Sequence, residues 1–192
     1  MFRAERVHEL LGALGDELGT ADERAELVVC GGAALIALGF VTRATADIDV
    51  VAVMADGRPT NAHPLPHPVV QARDRVGGAL HLPIEWLNDG PASQLATGLP
   101  EGWLDRLVTR KYGPLTVHFL GRLDQIHLKL YALVDQGPTS RHEPDLRALR
   151  PSRDELLRAA RWTRRQDPSD GFRQDLVSAL VHLGVTDAFD VV

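Results

Sequence analysis

The sequence predicts an α/β fold, in which a small mixed sheet with flanking helices is followed by a helical C-terminal part. A short apolar run, Leu27–Cys30, indicates a buried strand, and the Gly-Gly pair after it indicates a turn into a helix. A second apolar run ends at Val53, and from Arg122 onward apolar residues recur mainly at helical spacing. We therefore expect a core over residues 1–120 and a helical part over residues 121–192, packed on that core.

Composition limits the classes of protein that fit. Of the 192 residues, 44% are hydrophobic and 24% charged, as in an ordinary soluble domain. The net charge of −5 gives no general attraction to nucleic acid, so a basic patch would have to be local. The single cysteine, Cys30, cannot form an intrachain disulfide, and the amphipathic N-terminus does not resemble a signal peptide. The lone cysteine favours the reducing cytoplasm, and no apolar run reaches the length of a membrane span, so we expect no membrane contact.

The first predicted elements are a helix, a strand and a short helix. The helix covers Phe2–Leu18, and His8 falls off its apolar face, which we interpret as a solvated position. That face comprises Val7, Leu10, Leu11, Leu14 and Leu18. After the strand, Gly31 and Gly32 lead into a helix over Ala33–Leu38, with Gly39 as its C-cap. Such a junction directs backbone N–H groups at one point, which suits phosphate.

Asp47 and Asp49 open the second strand. Side chains at i and i+2 of a strand share a face, roughly 6.5–7 Å apart along it. Ile48 and Val50 then face the core. Two acids on one face of an apolar strand repel each other and favour a bound cation, and oxygen ligands favour Mg²⁺ or Mn²⁺.

The order Gly31-Gly32, helix, Asp47-x-Asp49 resembles the signature of the nucleotidyltransferase superfamily that includes DNA polymerase beta. The Thr-x-Asp-x-Asp form of residues 45–49 is similar to that of AbiEii-type toxins and their uncharacterised bacterial relatives. The resemblance implies a sheet of the nucleotidyltransferase type, and transfer of NMP from an NTP to a hydroxyl of RNA, such as tRNA, or of protein. It implies metal binding by Asp47 and Asp49, and nucleotide binding by Gly31, Gly32, Arg43 and Thr45.

Two segments follow with less regular patterns. Residues 56–68 contain four prolines and are predicted to form a loop, which the resemblance places beside the active site. His63 and His67 have the spacing of a helical metal pair, but the intervening prolines argue against zinc. A helix is expected over Val69–Leu80, and a short strand and turn over residues 81–90.

The resemblance implies a third carboxylate on a strand beside Asp47 and Asp49. Glu85 is the first candidate for this metal ligand and catalytic base, and Asp89 is the second. The alternative for Glu85 is a surface carboxylate on an edge strand.

The end of the core contains one basic cluster and one clear strand. Arg106, Arg110 and Lys111 form the cluster, after a loop or short helix that holds Trp103. Alternation over Pro114–Leu120 predicts the strand.

Lys129 lies on the helix that begins near Arg122, and its Lys-Leu-x-Ala context resembles a second AbiEii-type motif. This implies contact with the nucleotide phosphates; the alternative is a lysine that extends along an amphipathic helix to solvent. After a break at Gly137-Pro138, the segment around Asp145 resembles the next motif and implies a catalytic role for that residue. His142 stands where an acid is usual, and Gln136 where an arginine is usual.

Two more helices complete the chain. Ser152 and Glu155 predict a capping box that opens a helix to about Arg165. The apolar stripe of the last helix, Phe172–Leu183, is interpreted as core or as the surface of a homodimer.

Two other functions fit the same residues. The choice of two residues for the third carboxylate and the departures near Asp145 fit a catalytically degenerate domain that binds a nucleotide or a partner protein. A toxin paired with a cognate antitoxin that occupies the site is the other alternative.

Overall fold

The computed structural model describes residues 1–137 and 140–188, and it confirms the mixed α/β class. The chain divides into two compact units, residues 1–121 and 122–192. Among the described residues, no helix combines the length and apolar character needed to cross a membrane.

The first unit contains four helices and six strands. They are, in chain order, α1 (Ala4–Thr20), β1 (Ala25–Cys30), α2 (Gly31–Ala37), β2 (Ile48–Ala55), β3 (Arg58–Asn61), α3 (His67–Leu80), β4 (Leu87–Asn88), α4 (Ser93–Thr97), β5 (Val108–Tyr112) and β6 (Leu115–Phe119). Short 3₁₀ helices cover residues 84–86, 90–92 and 103–106.

The strands form one mixed sheet with the order β3-β2-β1-β6-β5. Strand β1 pairs antiparallel with β2 and parallel with β6, while β4 pairs parallel with the first residues of β2. The predicted apolar run of β1 and the apolar face of α1 are fully or almost fully buried. This core fixes the end of β1 and the start of β2, where the predicted site residues lie.

The described residues of the second unit form four helices, and the first of them contacts each of the other three. They are α5 (Arg122–Gln136), α6 (His142–Ala148), α7 (Arg153–Gln166) and α8 (Asp170–His182). The predicted capping box of Ser152 and Glu155 is confirmed at the start of α7. Of the predicted break between α5 and α6, Pro138 lies outside the described residues.

Two strands correct the sequence prediction. Strand β3 lies within the segment predicted to be a loop, and β5 carries the Arg110-Lys111 pair without having been predicted. Both strands occupy the edges of the sheet, and most of their side chains are exposed. A strand of this kind has no apolar alternation to reveal it, and a proline is tolerated at an edge. Pro59 is therefore compatible with β3.

The N-terminal prediction also needs correction. Phe2 precedes α1 and forms a backbone bridge with Thr45, with Phe2 N–H donating to Thr45 O at 2.6 Å and Thr45 N–H donating to Phe2 O at 2.9 Å. His8 is half-buried, and its Nδ1 lies 2.6 Å from the Tyr112 hydroxyl. Burial and the nearby Arg110 guanidinium lower the pKa of His8. This histidine is part of a packed contact between α1 and β5, and the solvated interpretation was wrong.

Helix α3 begins at His67, two residues earlier than predicted, because its first turn accommodates Pro68. The segment predicted as a strand over residues 81–90 is mostly not extended. Residues 84–86 form a 3₁₀ helix, and only Leu87 and Asn88 pair with β2.

Candidate nucleotide and metal site

The turn between β1 and α2 lies against Asp49. Gly31 has a φ of +69°, which favours glycine. A Cβ atom at this position would lie 2.5 Å from Asp49 Oδ2. Only glycine therefore lets the backbone approach the carboxylate so closely.

The second glycine brings the backbone close to the segment that precedes β2. A Cβ atom on Gly32 would lie 2.7 Å from Thr45 Oγ1 and 3.1 Å from an Arg43 guanidinium nitrogen. Another guanidinium nitrogen of Arg43 donates to Ala44 O at 2.8 Å. All four predicted nucleotide-binding residues of this region, Gly31, Gly32, Arg43 and Thr45, thus lie around one turn.

Asp47 lies immediately before β2 and Asp49 lies on it, and both are half-buried. Ile48 and Val50 are fully buried, as the period of a strand requires. Thr45 Oγ1 donates a hydrogen bond to Asp47 Oδ1 at 3.2 Å. The backbone bridge to Phe2 in turn fixes Thr45. Nothing in the sequence indicates that Phe2 holds Thr45 through its backbone.

Asn88 is the other residue that sequence reasoning missed. It lies directly opposite Asp49 on β4, and its Nδ2 donates to Asp49 Oδ1 at 3.1 Å. A carboxylate was expected on a neighbouring strand, and Asn88 is an amide. The signal in the sequence was its position after two apolar residues, Trp86 and Leu87.

Glu85 and Asp89, the two candidates for the third carboxylate, lie in different surroundings. Glu85 is exposed on the 3₁₀ helix, and its backbone oxygen lies 3.4 Å from Asn88 Nδ2. Asp89 Oδ2 accepts from Leu65 N–H at 3.1 Å and lies 3.1 Å from His63 Nδ1. Asp89 therefore holds the proline-rich loop in place.

The donor set fits a hard cation. Asp47, Asp49 and the Thr45 hydroxyl supply oxygen only, which is the chemistry that Mg²⁺ and Mn²⁺ prefer. Within residues 1–137 and 140–188, no group of three or more His, Cys, Asp or Glu side chains is placed to hold a metal ion. Any cation here would therefore depend on the aspartate pair.

A family model described as "Nucleotidyltransferase of unknown function (DUF6036)" matches residues 8–138. The chain belongs to this family. No curated protein and no solved structure matches the chain. The matched range of this nucleotidyltransferase family includes the glycine turn, both aspartates, Glu85 and Lys129, and it ends before Asp145.

In the second unit, the two residues of the C-terminal motifs contact each other. Lys129 Nζ lies 2.9 Å from Asp145 Oδ2, and their side chains are only 6% and 1% exposed. Lys129 Nζ also lies 3.5 Å from His142 Nδ1, and His142 Nε2 lies 3.0 Å from Gln136 Oε1. The two positions that depart from the motif pattern, Gln136 and His142, are therefore neighbours. A histidine and an amide are thus in contact at the two positions where the resemblance expects an acid and an arginine.

Proposed function

We propose that the chain is a metal-dependent nucleotidyltransferase, which transfers NMP from an NTP to a hydroxyl group and releases pyrophosphate. Membership of the nucleotidyltransferase family supports this class of reaction. The observation that carries the proposal is the close approach of Gly31 to Asp49 and of Gly32 to Thr45 and Arg43. Backbone N–H groups, a guanidinium and carboxylates at one turn are the groups that a metal-bound triphosphate requires.

In the proposed reaction, the acceptor oxygen attacks the α-phosphorus of the NTP and a new P–O bond forms. The bond from that phosphorus to the bridging oxygen of the β-phosphate breaks, and pyrophosphate leaves. The acceptor hydroxyl loses its proton to a base, for which Glu85 stays the first candidate and Asp89 the second. The backbone N–H groups of Gly31 and Gly32 bind the β- and γ-phosphates, and Arg43 offsets their charge.

Asp47 and Asp49 would hold the divalent cation, with Thr45 orienting Asp47. A bound Mg²⁺ or Mn²⁺ would stabilise the negative charge that develops on the entering and leaving oxygens. The roles of Lys129 at the phosphates and of Asp145 in catalysis stay predictions. In this structure the two side chains are buried and bonded to each other.

The proposed acceptor is RNA, such as tRNA, or a protein hydroxyl, in line with the similarity of residues 45–49 to AbiEii-type toxins. The same similarity motivates the proposal of a toxin with a cognate antitoxin.

The test is incubation with each α-³²P-labelled NTP, Mg²⁺ and either total tRNA or total protein, followed by gel separation. We expect label on one acceptor and release of pyrophosphate. The Asp47→Ala, Asp49→Ala double variant should lose on the order of 10³-fold in rate or more. A double variant at exposed acids of the first unit, Asp16→Ala, Asp74→Ala, removes the same charge and should keep the wild-type rate. Wild type that labels no acceptor with any NTP would contradict transfer to RNA or protein.

One observation favours a second candidate, a degenerate domain that binds nucleotide without turnover. Asn88, and not an acid, faces Asp49 across the β2–β4 pair, and the described residues hold no three-acid cluster. Such a domain would bind Mg²⁺-NTP at the glycine turn but release no pyrophosphate. Binding and pyrophosphate release measured on the same preparation distinguish the two functions.

A further inference from the structure

Asn88 occupies the position next to Asp49 on a neighbouring strand. Asp49 lies between two strands, opposite Cys30 of β1 on one side and opposite Asn88 of β4 on the other. Directly opposed residues in a sheet have their side chains on the same face. Asn88 therefore projects on the side of the sheet that carries the Asp49 carboxylate.

The hydrogen bonds of Asn88 determine which end of its amide faces Asp49. Its Oδ1 accepts from Gly90 N–H at 2.9 Å, and a backbone N–H can only donate. Nδ2 must therefore be the atom that donates to Asp49 Oδ1 at 3.1 Å. Asn88 cannot turn its oxygen toward Asp49 without losing the bond to Gly90.

This contact sets the orientation of the Asp49 carboxylate. Asn88 binds Oδ1, and Oδ2 is the oxygen that faces the Gly31 backbone. We propose that Asn88 is a positioning residue, which takes the place of a third carboxylate and holds Asp49 ready for one divalent cation beside the glycine turn. The inference rests on the proposed function, because that function assigns a cation to Asp49.

The acids nearest in sequence do not take over this position in the structure. Asp89 holds the loop through Leu65 N–H and His63, and Glu85 is exposed on the 3₁₀ helix. Both flank β4, yet Asn88 is the residue paired with Asp49. An uncharged donor at this position orients the carboxylate without adding the repulsion of a third negative charge.

Two substitutions separate orientation from simple structural support. Asn88→Ala removes this donor and weakens the orientation of Asp49, so Mn²⁺ affinity should fall about 10-fold, as for other groups that orient a metal ligand. Asn88→Asp keeps an acceptor for Gly90 but puts an oxygen against Asp49 Oδ1. Without a cation the two carboxylates repel each other, so this variant should have a lower melting temperature than wild type. Mn²⁺ should raise that melting temperature more than it raises that of wild type.

The experiment measures free Mn²⁺ by electron paramagnetic resonance, with and without a non-hydrolysable NTP analogue, and melting temperatures with and without Mn²⁺. The variants are Asn88→Ala, Asn88→Asp and, as the matched control, Asn61→Asp. Asn61 accepts from His63 N–H through Oδ1, a bond that aspartate retains, and it lies on the exposed edge strand β3. The control should keep the Mn²⁺ affinity of wild type and its Mn²⁺-induced melting shift.

We expect weaker Mn²⁺ binding in Asn88→Ala, and a larger Mn²⁺-induced melting shift in Asn88→Asp than in the control. An Asn88→Ala protein that is less stable but binds Mn²⁺ as wild type does would overturn the inference.

Asp47→Asn distinguishes a failure of the Asn88 inference from a failure of the proposed metal site. If it loses Mn²⁺ while Asn88→Ala does not, only the role of Asn88 fails. If wild type binds no Mn²⁺, with or without the analogue, the metal reading of the proposed function fails, and the inference fails with it.

Discussion

The two units hold their acidic residues in opposite ways. In the first unit, Asp47 and Asp49 are half-buried, and their hydrogen-bond donors include the Thr45 hydroxyl and the Asn88 amide. In the second unit, Asp145 is buried and contacts the ammonium of Lys129. In the buried pair, the two opposite charges compensate each other. In the half-buried pair, two like charges share one strand, and a bound cation would reduce their repulsion.

Residues that match a nucleotide-site motif in sequence can therefore make structural contacts instead. Lys129 and Asp145 resemble nucleotide-site residues in sequence, yet their contacts in this structure connect α5 to α6. Substitutions in each unit test whether the two units differ in this way.

Lys129→Ala tests whether the second-unit pair is structural. It removes the ammonium that contacts the buried Asp145, so we expect a loss of about 3–5 kcal/mol in the free energy of unfolding, measured by urea titration. Replacing both residues with apolar ones, Lys129→Met with Asp145→Leu, should recover most of that loss. Lys111→Ala, at the other lysine of the chain, is the control, since Lys111 is exposed on β5. Unchanged stability together with lost NTP binding would instead favour the predicted contact of Lys129 with phosphate.

Gly32→Val tests the glycine turn of the first unit. Its Cβ would lie 2.7 Å from Thr45 Oγ1, so the branched side chain displaces the groups that surround the turn. We expect NTP affinity to fall on the order of 100-fold, about 2.7 kcal/mol, in calorimetric titration. Gly12→Val places the same side chain on α1, where a Cβ would meet no atom within 4 Å. Equal affinities in the two variants, with native circular dichroism, would exclude phosphate binding at this turn.

Arg122→Gln tests a more exposed ion pair in the second unit. Arg122 donates to both carboxylate oxygens of Glu155 at 2.7 and 3.0 Å, and these bonds lower the pKa of Glu155 from 4.5 to about 2. A lowered pKa in the folded state contributes stability above about pH 4.5, which is lost as the pH falls toward 2. We expect the variant to lose about 1–2 kcal/mol at pH 7, because water screens the pair, and less at pH 3. A loss that does not depend on pH would show that Glu155 contributes little.

Tyr112→Phe tests the contact between α1 and β5 in the first unit. The hydroxyl lies 2.6 Å from His8 Nδ1, and its removal leaves the ring packing intact. We expect a loss of about 1 kcal/mol or less in the free energy of unfolding. NTP binding should not change, and a clear change would connect this contact to the nucleotide site.

The sequence revealed the parts of the fold that have strong periodicity. The apolar face of α1, the runs of β1 and β2, the alternation of β6 and the capping box of α7 all produce local patterns that the structure confirms. The edge strands β3 and β5 produce none, because their side chains are mostly exposed. Apolar periodicity in the sequence reflects which side chains are buried. An edge strand with exposed side chains is stabilised by hydrogen bonds to its partner strand, and these leave no such pattern.

For the candidate site, the sequence predicted the glycines and aspartates but not the groups that orient them. Asn88 reaches Asp49 across 39 positions of the chain, and Phe2 reaches Thr45 through backbone atoms alone. The contact between Lys129 and Asp145 was likewise not predicted. Pairings between distant segments depend on the tertiary fold, and bonds made by backbone atoms leave no trace in residue identity.

The bridge between Phe2 and Thr45 has a practical consequence for anyone who purifies this protein. Met1 is exposed and directly precedes a residue whose backbone is bonded to the segment that carries Arg43 and Thr45. An affinity tag joined directly to Met1 would start next to the proposed nucleotide site. A histidine tag there would bring imidazoles, which bind divalent metals, close to that site. Metal and nucleotide titrations should therefore use protein from which such a tag has been cleaved.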